Sequence, residues 1–202
     1  MAGETTVTRV AAGRECGACT LCCKLLAIEE IGKPKGEECP HCDPGVACRI
    51  YETRPGECRR YYCEYLLEDG LADYWYPKLS RIVLSFDRSR NRLNAYVETG
   101  RAEAWREDPF YADLRRWAAE LAPRRGQVVV KIGARAVVIL PDRHVDLGVI
   151  AEDEVIVTAE KTTAGGVVLD VLKMKLTDPR IADLVDSAVA RPPGDAMGKQ
   201  GP

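Results

Sequence analysis

The chain has 202 residues, 46% hydrophobic and 30% charged, the balance of a soluble globular protein with room for one domain or one domain plus a small module. A formal net charge of −2 gives no electrostatic case for nucleic acid or acidic membrane as partner of the whole chain. No apolar run approaches the roughly 20 residues that cross a bilayer. Met1 to Glu15 lacks an apolar core of signal-peptide length. The expected location is therefore the cytoplasm, where thiols stay reduced.

The first expected module covers residues 14–67. It is rich in Gly, Pro, charge and Cys, with few periodic apolar stretches, so hydrophobic burial alone would hold it poorly. A bound metal would supply the missing folding energy. Tyr51, Tyr61, Tyr62, Tyr65, Tyr74, Trp75 and Tyr76 read as a shield over the metal and a seam to the second module. That second expected module, residues 78–190, mixes strands and helices. Arg81 to Phe86 and Leu93 to Val97 predict strands joined by a polar turn, Asp87 to Arg92, with Asp87, Arg88 and Arg90 as turn residues. Asp108-Pro109 predicts a helix start, with Asp as N-cap and Pro at the first helical position. Phe110, Leu114, Trp117, Ala118 and Leu121 then share a face, and Pro123 ends the helix. Val128 to Ile132 and Ala136 to Leu140 predict a hairpin around Gly133. Val155 to Ala159 and Val167 to Leu172 predict further strands. Asp178-Pro179 repeats the helix-start device, with Ile181, Leu184, Val185 and Ala188 as the stripe. Residues 191–202 read as a disordered tail. The fold class is α+β: a small Cys-rich, metal-bound module followed by a mixed strand and helix module.

All nine cysteines lie between Cys16 and Cys63. A disulfide framework would expect secretion and usually an even count, so the cluster reads as metal ligands. It opens with Cys16-x-x-Cys19-x-x-Cys22-Cys23. A two-residue spacer lets two thiolates of one tight turn converge on one metal. Zinc takes four sulfurs in a tetrahedron, and iron–sulfur clusters use Cys-x-x-Cys-x-x-Cys runs as well. Both favour soft thiolate, so ligand type does not separate them. The second half of the constellation is Cys39-Pro40-His41-Cys42, Cys48, Cys58 and Cys63.

Around those residues runs Cys48-Arg49-Ile50-Tyr51-Glu52-Thr53-Arg54-Pro55-Gly56-Glu57-Cys58-Arg59. Here the chain resembles the bacterial CxxCxxCC cysteine-cluster family, described as a zinc- or iron-chelating domain. The family pattern continues with a Cys before a His, a Cys-x-Ile-Tyr-x-x-Arg-Pro-x-x-Cys-Arg segment and a last Cys. Eight cysteines match it: Cys16, Cys19, Cys22, Cys23, Cys39, Cys48, Cys58 and Cys63, with Cys42 as the extra one. The match covers residues 14–67. Ala104-Trp105-Arg106 and Leu140-Pro141-Asp142 look like longer members of the group. The resemblance implies a metal-chelating domain. Some members are named iron–sulfur oxidoreductases, and flagellin lysine N-methylases carry the same signature, but this sequence shows no methyl-donor motif and no Gly-rich nucleotide loop.

One expectation goes past the family label. Neighbouring side chains in extended backbone point to opposite sides, and eight thiolates exceed the four of one zinc or one ordinary cluster. This favours two metal sites, or one multinuclear site, with Cys22 and Cys23 on different metals; the alternative is one site with spare thiols. His41 reads as a ligand, a donor to a thiolate, or a turn residue. His144 reads as exposed in a loop. Arg54, Arg59 and Arg60 read as counter-charges to the thiolates or as a solvated basic edge, and interleaved Glu52, Glu57 and Glu64 argue against a nucleic-acid surface. No catalytic triad or paired-carboxylate set stands out. The expected function is a metal-binding cysteine-cluster protein chelating zinc or an iron–sulfur cluster, in redox chemistry. The alternatives are an accessory or catalytic component of protein modification, or a structural-zinc interaction module with a protein partner.

Overall fold

The computed structural model describes residues 10–163 and 166–181. It contains both helices and strands, as an α+β chain should. The N-terminal part is built of short pieces. Helix α1 is Leu21–Leu25, strands β1 and β2 are Cys42–Asp43 and Ala47–Cys48, and helices α2, α3 and α4 are Gly56–Arg60, Glu64–Leu67 and Pro77–Ser80. The frame is a five-stranded sheet in the order β3-β4-β5-β6-β7, formed by Ile82–Asp87, Arg92–Val97, Gln127–Ile132, Arg135–Ile139 and His144–Val149. Its neighbours are antiparallel except β4 and β5, which run parallel. That parallel pair needs a crossover, and the crossover carries helix α5, Phe110–Leu121. A long hairpin, β8 (Glu154–Thr163) with β9 (Gly166–Lys175), completes the described strands.

Register explains why the central strands read as unbroken apolar runs. One face of the sheet presents Ile82, Leu84, Leu93, Ala95, Val97, Val128, Val130, Val137 and Ile139. Trp75, Trp105, Leu114 and Ala118 close over that face. The opposite face carries two different covers. Val83 packs under Leu21 and Leu25 of α1, while Val129, Ala136, Val138 and Leu140 pack under Ile156 and Val171 of the hairpin. A strand covered on both sides loses its alternation, and Val128, Val129 and Val130 are all fully buried. The sheet thus forms the floor on which the cysteine-bearing segments sit.

The predicted hairpin around Gly133 is present, with Gly133 at φ +58, a value that favours glycine. The turn after β3 is tied by the Asp87 carboxylate, which accepts from the Arg90 backbone N–H. Two expectations are corrected. Helix α5 begins at Phe110 with Pro109 as its N-cap residue, and Asp108 makes no cap. His144 is not in an exposed loop: it opens β7, half-buried, its Nδ1 2.8 Å from the Tyr111 hydroxyl and its ring edge-on to Trp105. The short run from His144 to Val149 contains Asp146 and Gly148, which hid the strand from its apolar pattern. Helix positions Leu184, Val185 and Ala188 and the tail 191–202 lie outside the described residues. No described helix is long and apolar enough to cross a membrane.

Candidate metal centre

Each cysteine is set by a short local device. In Cys16-Gly17-Ala18-Cys19 the Cys19 N–H donates to the Cys16 carbonyl at 2.8 Å. Gly17 sits at φ +47, where a side chain would be strained, and lets that turn close. The Tyr76 hydroxyl also donates to the Cys16 carbonyl, at 3.1 Å. Just upstream, Arg14 fastens the segment to α3 by donating to the carbonyls of Tyr65, Glu68 and Leu71. Cys22 and Cys23 are consecutive residues of α1. A second turn, with the Cys42 N–H donating to the Cys39 carbonyl at 3.0 Å, places Cys39. Cys48 lies on β2, paired with Cys42. Cys58 lies in α2, whose first N–H groups, from Gly56 and Glu57, are taken by the Glu30 carboxylate at 2.8 and 2.7 Å. The Glu57 carboxylate in turn accepts from the Glu29 N–H at 2.8 Å. Cys63 is the N-cap residue of α3.

These devices converge on one cavity of about 490 Å³. Its wall includes Cys16, Cys19, Cys22, Cys23, Cys39, Cys48, Cys58 and Cys63, the eight residues the motif singles out. Cys42 is buried but not on that wall. His41 lines the cavity, as do Tyr51, Tyr61, Tyr62, Tyr65 and Tyr76. The aromatic group read as shield and seam is divided between the two places: Trp75 belongs to the sheet core, 1% exposed, and its indole N–H donates to Asp113 at 2.8 Å.

The thiols fall into two neighbourhoods. Cys19, Cys22 and Cys63 pack with Leu21, Leu25 and Val83 on the sheet side. Cys16 interacts electrostatically with Cys19 and Cys63 and also with Cys23 of the other side. Cys23, Cys39, Cys42 and Cys58 pack around Ile28 and Ile31 on the other side, and Cys48 acts electrostatically on Cys58. Cys22 and Cys23 thus belong to different sides. The geometric reason given by the sequence is nevertheless corrected: both lie in a helix, where consecutive side chains diverge by about 100° rather than opposing each other. The Cys22 thiol donates toward the Cys23 sulfur across the boundary.

Electrostatics ranks the thiols. Burial pushes Cys16, Cys19 and Cys58 above the ordinary thiol value, and Cys63 up to about 11. The proton it shares with Cys23, together with its burial, holds Cys22 well above that value. Cys23 goes the other way, to about 6, because Cys22 donates to it, helped by Cys42 and by the charge of Lys33. Cys42 is raised to about 11, chiefly by burial. Arg54, stacked 3.9 Å over the Tyr51 ring, opposes the rise at Cys16. Arg60 lines the cavity and pairs loosely with Glu30 at 3.7 Å.

The donor set suits a thiophilic metal: soft sulfurs, one shared chamber, and cations beside it. Among the described residues no three His, Cys, Asp or Glu side chains are gathered tightly enough to grip an ion as they stand. The arrangement is a chamber ringed by thiols rather than a closed tetrahedron. The sequence carries no signal for Lys33, which is buried beside its bridge partner Ile28. No family model, curated protein or solved structure matches the chain. The likeness to the cysteine-cluster family thus rests on the motif alone.

Proposed function

We propose that this protein is a thiolate metal protein whose cysteine chamber binds zinc or an iron–sulfur centre. The observation that carries the reading is the gathering of eight cysteines, from five separate stretches of chain, on the wall of one cavity. Burial makes a lone thiolate costly at Cys16, Cys19, Cys22, Cys58 and Cys63, which hold their protons above the ordinary thiol value. A cation that replaces those protons removes the cost, which couples metal uptake to proton release and to folding. The chamber, at about 490 Å³, is large for a single tetrahedral ion with ligands at about 2.3 Å. Together with the two thiol neighbourhoods, this favours two centres or one multinuclear centre.

Iron–sulfur clusters there would supply one-electron transfer, and zinc would supply structure or Lewis acidity. The chain's own residues hold the centre, exclude water with Tyr61, Tyr65 and Tyr76, and balance charge beside Cys16 with Arg54. The size of the chamber favours a redox or chemical role over a structural-zinc module. Elemental analysis and absorption spectra of anaerobically purified protein test the reading. Iron and sulfide with a brown colour are expected for the redox form, and stoichiometric zinc without colour for the zinc form. Protein carrying neither metal, and binding neither on reconstitution, would overturn it.

A further inference from the structure

Lys33 is 4% exposed. It follows Gly32, whose left-handed turn at φ +62 sends the chain back beside Ile28, so that the two residues exchange backbone hydrogen bonds at 2.9 and 3.0 Å. The side chain then runs inward. Its ammonium donates to the carbonyls of Lys24 and Leu26, at the end of α1. Among the described residues it forms no ion pair with a carboxylate. Neighbouring Lys24 does, with Glu38 and Glu98 at 3.2 and 3.1 Å. A buried ammonium is costly unless charge faces it. Its bridge partner Ile28 packs against Cys39, Cys42 and Cys23, and the negative charge that favours the ammonium comes from Cys39, Cys23, Glu38 and Cys22.

We infer that Lys33 is the built-in counter-charge of the Cys23 side of the chamber, a positioning residue that holds an anionic metal–thiolate centre against α1. This rests on the proposed reading of the chamber. Four thiolates around a divalent ion leave a net charge of −2, and a centre of that charge needs a cation inside the fold rather than at its rim. Two carbonyls, of Lys24 and Leu26, fix the ammonium at the C-terminal end of α1, one turn beyond Cys22 and Cys23. Arg54 lines the chamber beside Cys16; Lys33 lies buried behind the wall, on the bridge to Ile28.

Capping the end of α1 is the competing role, and three variants separate the two. Lys33→Gln keeps a donor for the carbonyls and removes the charge. Lys33→Arg keeps both, and Lys33→Met removes both. Each full-length reduced protein is titrated with Co²⁺ alone, followed by thiolate-to-cobalt absorption and by competition with a chelator, and its metal-free thermal unfolding is recorded. The expected result is Co²⁺ affinity at least tenfold lower in K33Q and K33M and near wild type in K33R. Metal-free stability should fall most in K33M. Equal affinity in wild type, K33Q and K33R, with any change confined to metal-free stability, would reduce Lys33 to a helix cap. Should K33Q and K33M fail to fold, K33R decides: a folded K33R that has lost Co²⁺ affinity as well would show that shape, not charge, is needed. A wild type that takes up no Co²⁺ would remove the reading of the chamber, whereas a loading wild type with equally loading variants removes this inference alone.

Discussion

Cys22 and Cys23, consecutive residues of α1, pack on different sides of the chamber, one against Val83 and the other against Ile28. A single helical turn therefore joins the two thiol neighbourhoods. If each neighbourhood holds a centre, Cys22→Ser and Cys23→Ser should each lower bound metal per chain by about half and leave different residual spectra. Metal content by elemental analysis checks this. Complete loss in both variants, or no loss in either, would point to one shared centre.

Cys42 offers a contrast with Cys39. Both are buried, but only Cys39 lines the cavity; Cys42 packs beside Ile28 with Cys39 and Cys23. Cys42→Ser should keep the metal content of the wild type and weaken affinity only mildly, since Cys42 is not on the cavity wall. Cys39→Ser should lose metal from its side of the chamber. Equal loss in the two variants would make Cys42 a ligand as well.

Chelation under reducing conditions should open residues 14–67 to protease and leave the sheet core resistant. The N-terminal part has only small apolar clusters, around Leu21 and Leu25 and around Ile28. The sheet has Trp75, Trp105 and Leu114, all essentially buried, between its face and α5. Peptide mapping of limited digests gives the answer. Trp75→Ala tests the other half of that contrast. Emptying so large a buried site should cost about 3–5 kcal/mol in denaturant unfolding, whether or not metal is present.

Lys131 supplies a pH test away from the cysteines. Burial lowers its amine to about 8, and the nearby charges of Lys35, Arg92 and Arg90 add to that. The folded protein then binds fewer protons than the unfolded chain between about pH 8 and the ordinary lysine value of about 10.4. Stability from this residue accordingly rises with pH across that window, and below it the full cost of the buried charge is present. Lys131→Met, which keeps the stem against Tyr96, should be more stable than wild type at pH 7. Its advantage should shrink between pH 8 and 10. Denaturant midpoints of both proteins at the two ends of the range provide the measurement, and an advantage independent of pH would contradict the argument.

The run Cys16-x-x-Cys19-x-x-Cys22 was legible by itself, because a Cys-x-x-Cys turn is a local structure that brings two sulfurs to the same side; that Cys39, Cys48, Cys58 and Cys63 join it on the cavity wall and Cys42 does not was decided by the fold. Strands β3 to β6 and helix α5 were equally legible, since burial stamps an apolar period or an apolar run on the chain. Tertiary structure decided the rest. His144 became a strand residue because Tyr111 and Trp105 lie beside it, neither of which is near it in sequence. Trp75 left the aromatic shield for the sheet core because Asp113, far along the chain, accepts its indole proton. Cys22 and Cys23 were assigned to different sides by Val83 and Ile28, not by the backbone geometry that the sequence suggested. Lys33 became an interior charge because a two-residue β-bridge turned it away from water. Spacing fixes which side chains can meet within one turn; the field and burial each one meets come from segments folded against it, and only the assembled chain contains those.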